Sequence, residues 1–171
     1  YDNVLMGNPI WNPNFTHTMD LANSLGVKFY CDPRTWNSNT SSYNDWDGIK
    51  PSWMDNAAIG GLVVMDEPSI QGFATAQQYQ TLFNQNIGGN KKMFVNLNCS
   101  CVSETALYGS EDYSTNDKYY DNYAKEFVDT VSASVYGFDS YGLMDNGTVR
   151  KSFYCDLDVW SHLARDNNKE L

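Results

Sequence analysis

Acidic residues stand at the ends of three predicted strands, and they are the residues of this sequence best suited to chemistry. Asp66 and Glu67 close the most continuous apolar run, residues 59–65, while Asp32 and Asp139 follow two other runs. Parallel strands bring their carboxyl ends to one edge of a sheet, so these acids would share a cleft. A partly desolvated carboxyl group has a raised pKa and suits general acid catalysis. Carboxylates without a matching His or Lys favour glycoside hydrolysis or sugar binding over acyl transfer.

The same acids also have a structural interpretation. Acidic residues favour the N-termini of helices, so Asp66 and Glu67 could instead begin a helix. A catalytic triad is not indicated, because Gly-x-Ser-x-Gly is absent and neither His17 nor His162 follows a predicted strand. On the sequence alone, the acidic cleft and the helix start both stay open.

Aromatic residues are abundant, with 12 Tyr, 8 Phe and 5 Trp in 171 residues. Sugar rings stack their C–H faces on indole and phenol rings, so the aromatic residues of the polar stretches are candidate substrate contacts. We select Trp11, Trp36 and Tyr141 as such contacts, and Trp46 could extend the same aromatic surface. The alternative is a core filled with aromatic side chains.

The charge balance limits the partners. Eleven Lys and Arg residues face 21 Asp and Glu residues, for a net charge of −10. A phosphate backbone needs a basic face, so nucleic acid is not an expected partner. No apolar run approaches the ~20 residues of a membrane helix, so no membrane span is expected.

The four cysteines, Cys31, Cys99, Cys101 and Cys155, form no CxxC pair, and the two histidines are isolated. These spacings do not suit a zinc site, so we predict no metal and no cofactor. We predict an extracellular or secreted protein, in which disulfides can form. One hypothesis pairs Cys155 with Cys99 or Cys101, and the alternative is four reduced thiols.

Short apolar runs alternate with amphipathic stretches along the chain. The predicted strands cover residues 3–6, 27–32, 59–65, 92–97 and 135–139. The predicted helices cover residues 13–25, with Asn12 as N-cap, 73–87 and 120–131, and a last helix is capped by Asn146 or Thr148. Alternation of strands and helices demands parallel strands with right-handed crossovers, which defines an α/β fold.

Two α/β architectures agree with this alternation. One is an open five-stranded doubly wound sheet, which fits the length as it stands. The other is part of a (β/α)8 barrel, because about 34 residues per unit would give about 270 for eight units. The loop after the first predicted strand lacks the Gly-rich pattern of nucleotide-binding sheets. Polar and aromatic residues follow the strands instead, which favours the barrel.

One segment resembles a known family. Residues 58–69, Ala-Ile-Gly-Gly-Leu-Val-Val-Met-Asp-Glu-Pro-Ser, resemble the fourth-strand signature of (β/α)8 glycoside hydrolases, and β-galactosidase-like barrels most closely. Four more segments of this chain resemble further passages of such barrels in the same order. They are residues 20–28, 94–98, 123–127 and 137–141. The resemblance implies an incomplete (β/α)8 TIM-barrel in which about strands two to six are present. Residues 1–171 would then be a partial catalytic domain.

The resemblance also implies roles for the acids. Glu67 would be the general acid/base of a retaining mechanism, and the substrate would contact Asp66, Asp32, Asp139 and Tyr141. The family usually has Asn where Asp66 stands here. Its nucleophile is a Glu at the end of strand seven, which would lie outside this chain. Asp139 would lie two strands from Glu67, so the backbones of the two residues would be about 10 Å apart.

A carbohydrate is therefore the expected partner, with an oligo- or polysaccharide as substrate. The alternative is a carbohydrate-binding or structural remnant of such a barrel, without catalysis. A partial barrel would expose edge strands near Val4 and near Phe138, so further chain or a partner is expected to cover them.

Overall fold

The computed structural model describes residues 3–6, 13–34, 36–37, 39, 42–43, 45–109 and 119–171. For residues 3–6, 36–37, 42–43 and 119, the description covers the backbone alone. The chain divides into two compact units. The first unit comprises residues 1–64 and 79–94, and the second comprises residues 65–78 and 95–171.

The described residues form strands and helices of an α/β domain. The strands are Asn3–Met6 (β1), Lys28–Cys31 (β2), Trp36–Asn37 (β3), Ser42–Tyr43 (β4), Ile59–Asp66 (β5) and Lys92–Asn96 (β6). The α-helices are Phe15–Leu25 (α1), Phe73–Asn86 (α2), Glu104–Tyr108 (α3), Tyr119–Thr130 (α4) and Lys151–Asp166 (α5). The main sheet has the order β1-β2-β5-β6, and β3 and β4 form a separate antiparallel pair. The β1–β2 and β2–β5 pairs are parallel.

The fold contradicts the predicted (β/α)8 barrel with strands two to six. The main sheet has four strands, because residues 135–139 form only isolated bridges, Leu97 with Phe138 and Val135 with Glu170. Between β2 and β5, the described residues hold the β3–β4 pair and a short 3-10 helix, Ser52–Asp55, where a barrel unit would place an α-helix. The chain is a small α/β domain with a four-stranded sheet, one strand fewer than either predicted architecture required.

The physical reason lies in the hydrogen bonds of the backbone. An apolar run becomes a strand only when a neighbouring strand accepts and donates backbone hydrogen bonds along its length. In the segment 135–139, the Tyr136 N–H donates to the Glu170 carbonyl, and the Asp139 N–H donates to the Leu97 carbonyl. The two bonds go to different parts of the chain, so no continuous ladder forms.

In the first unit, β5 is buried on both faces. Ile59, Leu62, Val63 and Val64 are all buried, which confirms the prediction made from the continuous apolar run. Gly61 permits the close approach of the next strand, because a Cβ atom there would lie 1.8 Å from the Lys92 carbonyl oxygen. No side chain fits in that space.

Helix α1 ends where the sequence predicts. Met19 and Ala22 lie three residues apart on its buried face. Gly26 follows with φ of 71°, and its N–H donates to the carbonyls of Ala22 and Asn23. Glycine adopts this left-handed conformation without the penalty of a side chain, so it ends the helix.

The core of the second unit is aromatic. The ring centroids of Phe73 and Tyr123 are 5.2 Å apart, and those of Phe127 and Trp160 are 6.1 Å apart. Tyr136 packs 5.8 Å from Trp160. All five side chains are buried, so these residues fill a core rather than face a ligand.

Helix α5 begins at Lys151, later than predicted. The proposed caps Asn146 and Thr148 instead bond to each other in a turn, in which Asn146 Oδ1 accepts from the Thr148 N–H at 3.0 Å. Asn and Asp side chains form such turns readily, and this competes with helix capping. Arg150 occupies the position before the helix and makes no side-chain cap.

Candidate functional site

The second unit brings four of the predicted site residues together. Asp66 is the last residue of β5 and Glu67 follows it. Asp139 follows the parallel bridge between Leu97 and Phe138, and its N–H donates to the Leu97 carbonyl at 2.7 Å. The Asp139 carboxyl group lies near enough to Glu67 to help raise its pKa. The structure therefore brings these two predicted acids together.

Glu67 has an unusual backbone conformation. Its φ is 46°, in the left-handed region that residues other than glycine rarely adopt. Its N–H donates to the Asn96 carbonyl at 2.7 Å, and its own carbonyl accepts from the Asn98 side chain at 2.9 Å. Strain of this kind persists only where surrounding contacts fix the backbone, and it is often found at functional sites.

Asn98 is the centre of the contacts that fix this turn. It is 2% exposed, and its side-chain nitrogen also lies 3.4 Å from the Pro68 carbonyl. Tyr123 donates its hydroxyl to that same carbonyl at 2.7 Å. The Asn98 carbonyl in turn accepts from the Tyr120 hydroxyl at 2.9 Å, and Trp160 donates to that hydroxyl. The turn after β5 is therefore anchored to buried aromatic side chains of α4 and α5.

The electrostatics of the pair favour a protonated carboxyl group. The pKa of Glu67 is raised from 4.5 by partial burial of its carboxyl group and by the charges of Asp139 and Asp66. A neighbouring negative charge disfavours ionisation of a carboxyl group. Glu67 can therefore hold a proton at a pH where an ordinary glutamate has lost it.

Two further polar side chains lie near the acids. Asn96 donates from its side chain to Asp66 Oδ1 at 2.9 Å. Tyr141 lies near Asp139, and the Asp139 charge is the largest cause of the raised pKa of Tyr141. Tyr141 is 67% exposed, so its ring is accessible beside the carboxyl pair. This arrangement combines a proton donor with an exposed aromatic face.

The other predicted site residues belong to the first unit, and some of their side chains lie outside the described part of the structure. Asp32 belongs to the first unit, where it forms a salt bridge with Arg34 at 2.8 Å. Trp11 lies outside the described residues, and Trp36 is described only as backbone of β3. Trp46 is 4% exposed and donates to the Ile49 carbonyl, so it is a core residue of the first unit.

Sequence reasoning missed the residues that hold the acids. Asn96 is the last residue of β6, and Asn98 lies two residues further on. Both side chains donate to the turn after β5, Asn96 to Asp66 and Asn98 to the Glu67 carbonyl. Asp156 of α5 was also missed; it is fully buried and accepts hydrogen bonds from Ser100 and Ser140. Hydrogen bonds between residues far apart in the chain leave no pattern in a single sequence. A lone Asp within the apolar face of a helix is a weak signal for such a bond.

The cysteine hypothesis is wrong in its pairing. Cys99 and Cys101 are bonded to each other, with Cα atoms 5.2 Å apart. Cys155 is a free, exposed thiol, and Cys31 is a free, buried one. Burial, aided by the charge of Asp32, raises the pKa of Cys31 to about 12. Because Cys99 follows Asn98 directly, the disulfide closes the turn next to the candidate site.

Three comparisons with known proteins add no relative to this description. No protein-family model, curated protein or solved structure matches the chain. Within the described residues, no group of three or more His, Cys, Asp or Glu side chains could hold a metal ion. No helix in the described part of the chain is long and apolar enough to cross a membrane.

Proposed function

We propose that this chain contributes the acid/base centre of a glycoside hydrolase that acts on an oligo- or polysaccharide. The observation that carries the proposal is the exposed Glu67 after β5, which Asp139 approaches and whose pKa is raised. Glycoside hydrolysis needs a carboxylic acid that stays protonated near neutral pH and can reach the leaving oxygen. Glu67 is solvent-exposed, so a substrate can approach it.

The proposed chemistry is a proton transfer to the glycosidic oxygen. Glu67 donates its proton as the bond to the leaving group breaks, and then takes a proton from the attacking water. Asp139 helps to keep the proton on Glu67 before the reaction by its charge. Tyr141 offers an exposed ring on which a sugar face can stack beside the pair.

A retaining mechanism needs a second carboxylate about 5–5.5 Å from the acid/base. Asp139 helps to raise the Glu67 pKa, which is the effect of a residue that supports the acid/base. We therefore assign Asp139 a supporting role and place the nucleophile outside this chain. The proposal thus concerns a site to which these 171 residues contribute one of two essential acids.

The test replaces Glu67 by Gln, which keeps the shape of the side chain and removes its proton chemistry. The assay uses the longest available form of the protein, and oligosaccharides compared with aryl glycosides of the same sugar. We expect turnover of the oligosaccharides to fall by about 10²–10⁴. Aryl glycosides should lose less, because a good leaving group needs less help from an acid.

Glu126→Gln is the matched control, since Glu126 is an exposed residue of α4 and undergoes the same chemical change. It should leave turnover unchanged. Equal losses on both substrate types, or normal turnover by Glu67→Gln, would contradict the acid/base assignment.

Carbohydrate binding without hydrolysis is the second candidate. The exposed ring of Tyr141 beside the acids favours it. Calorimetric titration with oligosaccharides separates the two. Binding that is lost in Tyr141→Ala and kept in Glu67→Gln, with no turnover by any form, would select the binding function.

A further inference from the structure

Asp156 is a buried acid that the proposed proton transfer does not use. It lies in α5, and its side chain is fully buried. Oδ1 accepts from the Ser100 backbone N–H at 3.0 Å, and Oδ2 accepts from the Ser140 hydroxyl at 2.8 Å. Buried carboxylates are rare unless their oxygens are paired in this way, so the site is built rather than incidental.

Both donors flank residues of the candidate site. Ser140 stands between Asp139, which helps to raise the Glu67 pKa, and Tyr141, whose own pKa the Asp139 charge raises. Ser100 stands between the two cysteines of the Cys99–Cys101 disulfide. One carboxylate therefore joins the segment that carries Asp139 to the turn that follows Asn98.

Residues 139–142 form no regular helix or strand, and Ser140 and Tyr141 are not in the sheet ladder. The Asp139 N–H bond to the Leu97 carbonyl fixes the start of the segment. The Arg150 N–H bond to the Gly142 carbonyl fixes its other end. Between them, the Ser140 bond to Asp156 is the side-chain bond that holds the segment to α5.

We propose that Asp156 is a positioning residue, which holds the 139–141 segment so that Asp139 stays against Glu67 and Tyr141 stays beside the pair. This role rests on the proposed function for its catalytic meaning. Its structural effect, the contact between Asp139 and Glu67, can be measured without any substrate. Asp156 acts through Ser140, and it does not touch the reacting atoms.

The experiment follows the Glu67 carboxyl carbon by NMR during a pH titration, with the Glu67→Gln spectrum as assignment. In Asp156→Ala, the Ser140 and Ser100 donors lose their acceptor, and the segment just after Asp139 loses its bond to α5, so the Asp139 side chain is held less firmly. We expect the titration midpoint of Glu67 to fall toward its ordinary value. Where glycoside turnover is measurable, kcat should fall about tenfold with a smaller change in KM.

Two variants separate positioning from a loss of stability. Asp156→Asn keeps an oxygen for the Ser100 N–H and offers an N–H₂ group to the Ser140 oxygen, which can accept. It should restore most of the Glu67 midpoint. Ser140→Ala removes one hydrogen bond and leaves no buried charge without partners, so it tests the link even if Asp156→Ala does not fold. Asp158→Ala, an exposed change on the same helix, is the matched control.

The outcomes distinguish this inference from the proposed function. A Glu67 midpoint that stays at the wild-type value in both Asp156→Ala and Ser140→Ala, with both variants folded, would overturn the positioning role. A midpoint that falls in these variants supports the positioning role, whereas a longest available form that turns over no glycoside contradicts the proposed function alone.

Discussion

The ends of β2 and β5 carry acids that look alike in the sequence and differ in the structure. Asp32 after β2 forms a salt bridge with Arg34, which also donates from its backbone N–H at 2.8 Å. Glu67 after β5 instead faces the acids Asp139 and Asp66. A carboxylate beside a guanidinium has its charge satisfied locally, while a carboxyl group beside other carboxylates tends to keep its proton. The partner, and not the position at a strand end, decides what an acid can do.

The largest expected difference between the two ends is in turnover. Asp139→Asn removes the like charge beside Glu67, so the Glu67 pKa falls and its proton is lost at lower pH. We expect glycoside turnover near neutral pH to fall about 10–100-fold, and the alkaline limb of the pH–rate profile to move down. Asp32→Asn, the same change at the other end, should alter kcat by less than about twofold. A large rise in KM for Asp32→Asn would support its predicted substrate contact and break the comparison.

For stability, we expect the larger effect at the end of β2. Asp32→Ala removes the acceptor of a salt bridge whose side chains are 20% and 14% exposed, for Arg34 and Asp32. The free energy of unfolding should fall by about 1–2 kcal/mol, as is typical of lost charged hydrogen bonds. Chemical denaturation of the variant and of Asp20→Ala, an exposed acid of α1, measures the difference. Equal stability of the two variants would show that the salt bridge contributes nothing beyond its surface charge.

A smaller effect should appear in the pH dependence of stability. The folded state raises the Glu67 pKa from 4.5, so it binds this proton more tightly than the unfolded chain does. The stabilising contribution is complete below about pH 4.5 and is lost as the pH rises through the raised value. Glu67→Gln has no such proton to lose. Above the raised pKa, its free energy of unfolding should therefore increase relative to the wild type, by less than about 1 kcal/mol because the residue is exposed. Parallel stability curves for the two proteins would refute the raised pKa.

The cysteines near the ends of β2 and β6 provide the smallest and simplest test. Cys31 precedes Asp32 and is a buried thiol whose pKa is raised to about 12, while Cys99 follows Asn98 and is oxidised. Without reductant, the folded protein should react rapidly at Cys155 alone, and the unfolded protein at Cys155 and Cys31. Reduction should expose all four. Mass spectrometry after alkylation counts the labels, and a third label without reductant would contradict the Cys99–Cys101 bond.

Much of the local structure follows from the sequence, because local rules decide it. The continuous apolar run predicted a strand buried on both faces, and residues 59–66 form it. The spacing of Met19 and Ala22, closed by Gly26, predicted helix α1. The sequence also selected Glu67 and Asp139, which the structure brings into contact. In each case the signal was a periodicity or an end signal within a few residues.

Only the tertiary structure decided the rest. Residues 135–139 have the composition of a strand, but their backbone bonds to two separate segments, and this long-range choice changed the predicted barrel into a four-stranded α/β domain. The sequence by itself determined which acids stand at strand ends. Whether an acid meets Arg34, as Asp32 does, or meets another carboxyl group, as Glu67 does, depends on contacts set by packing. Charge and hydrogen-bond partners act over a few ångströms in space, and distance along the chain does not record them.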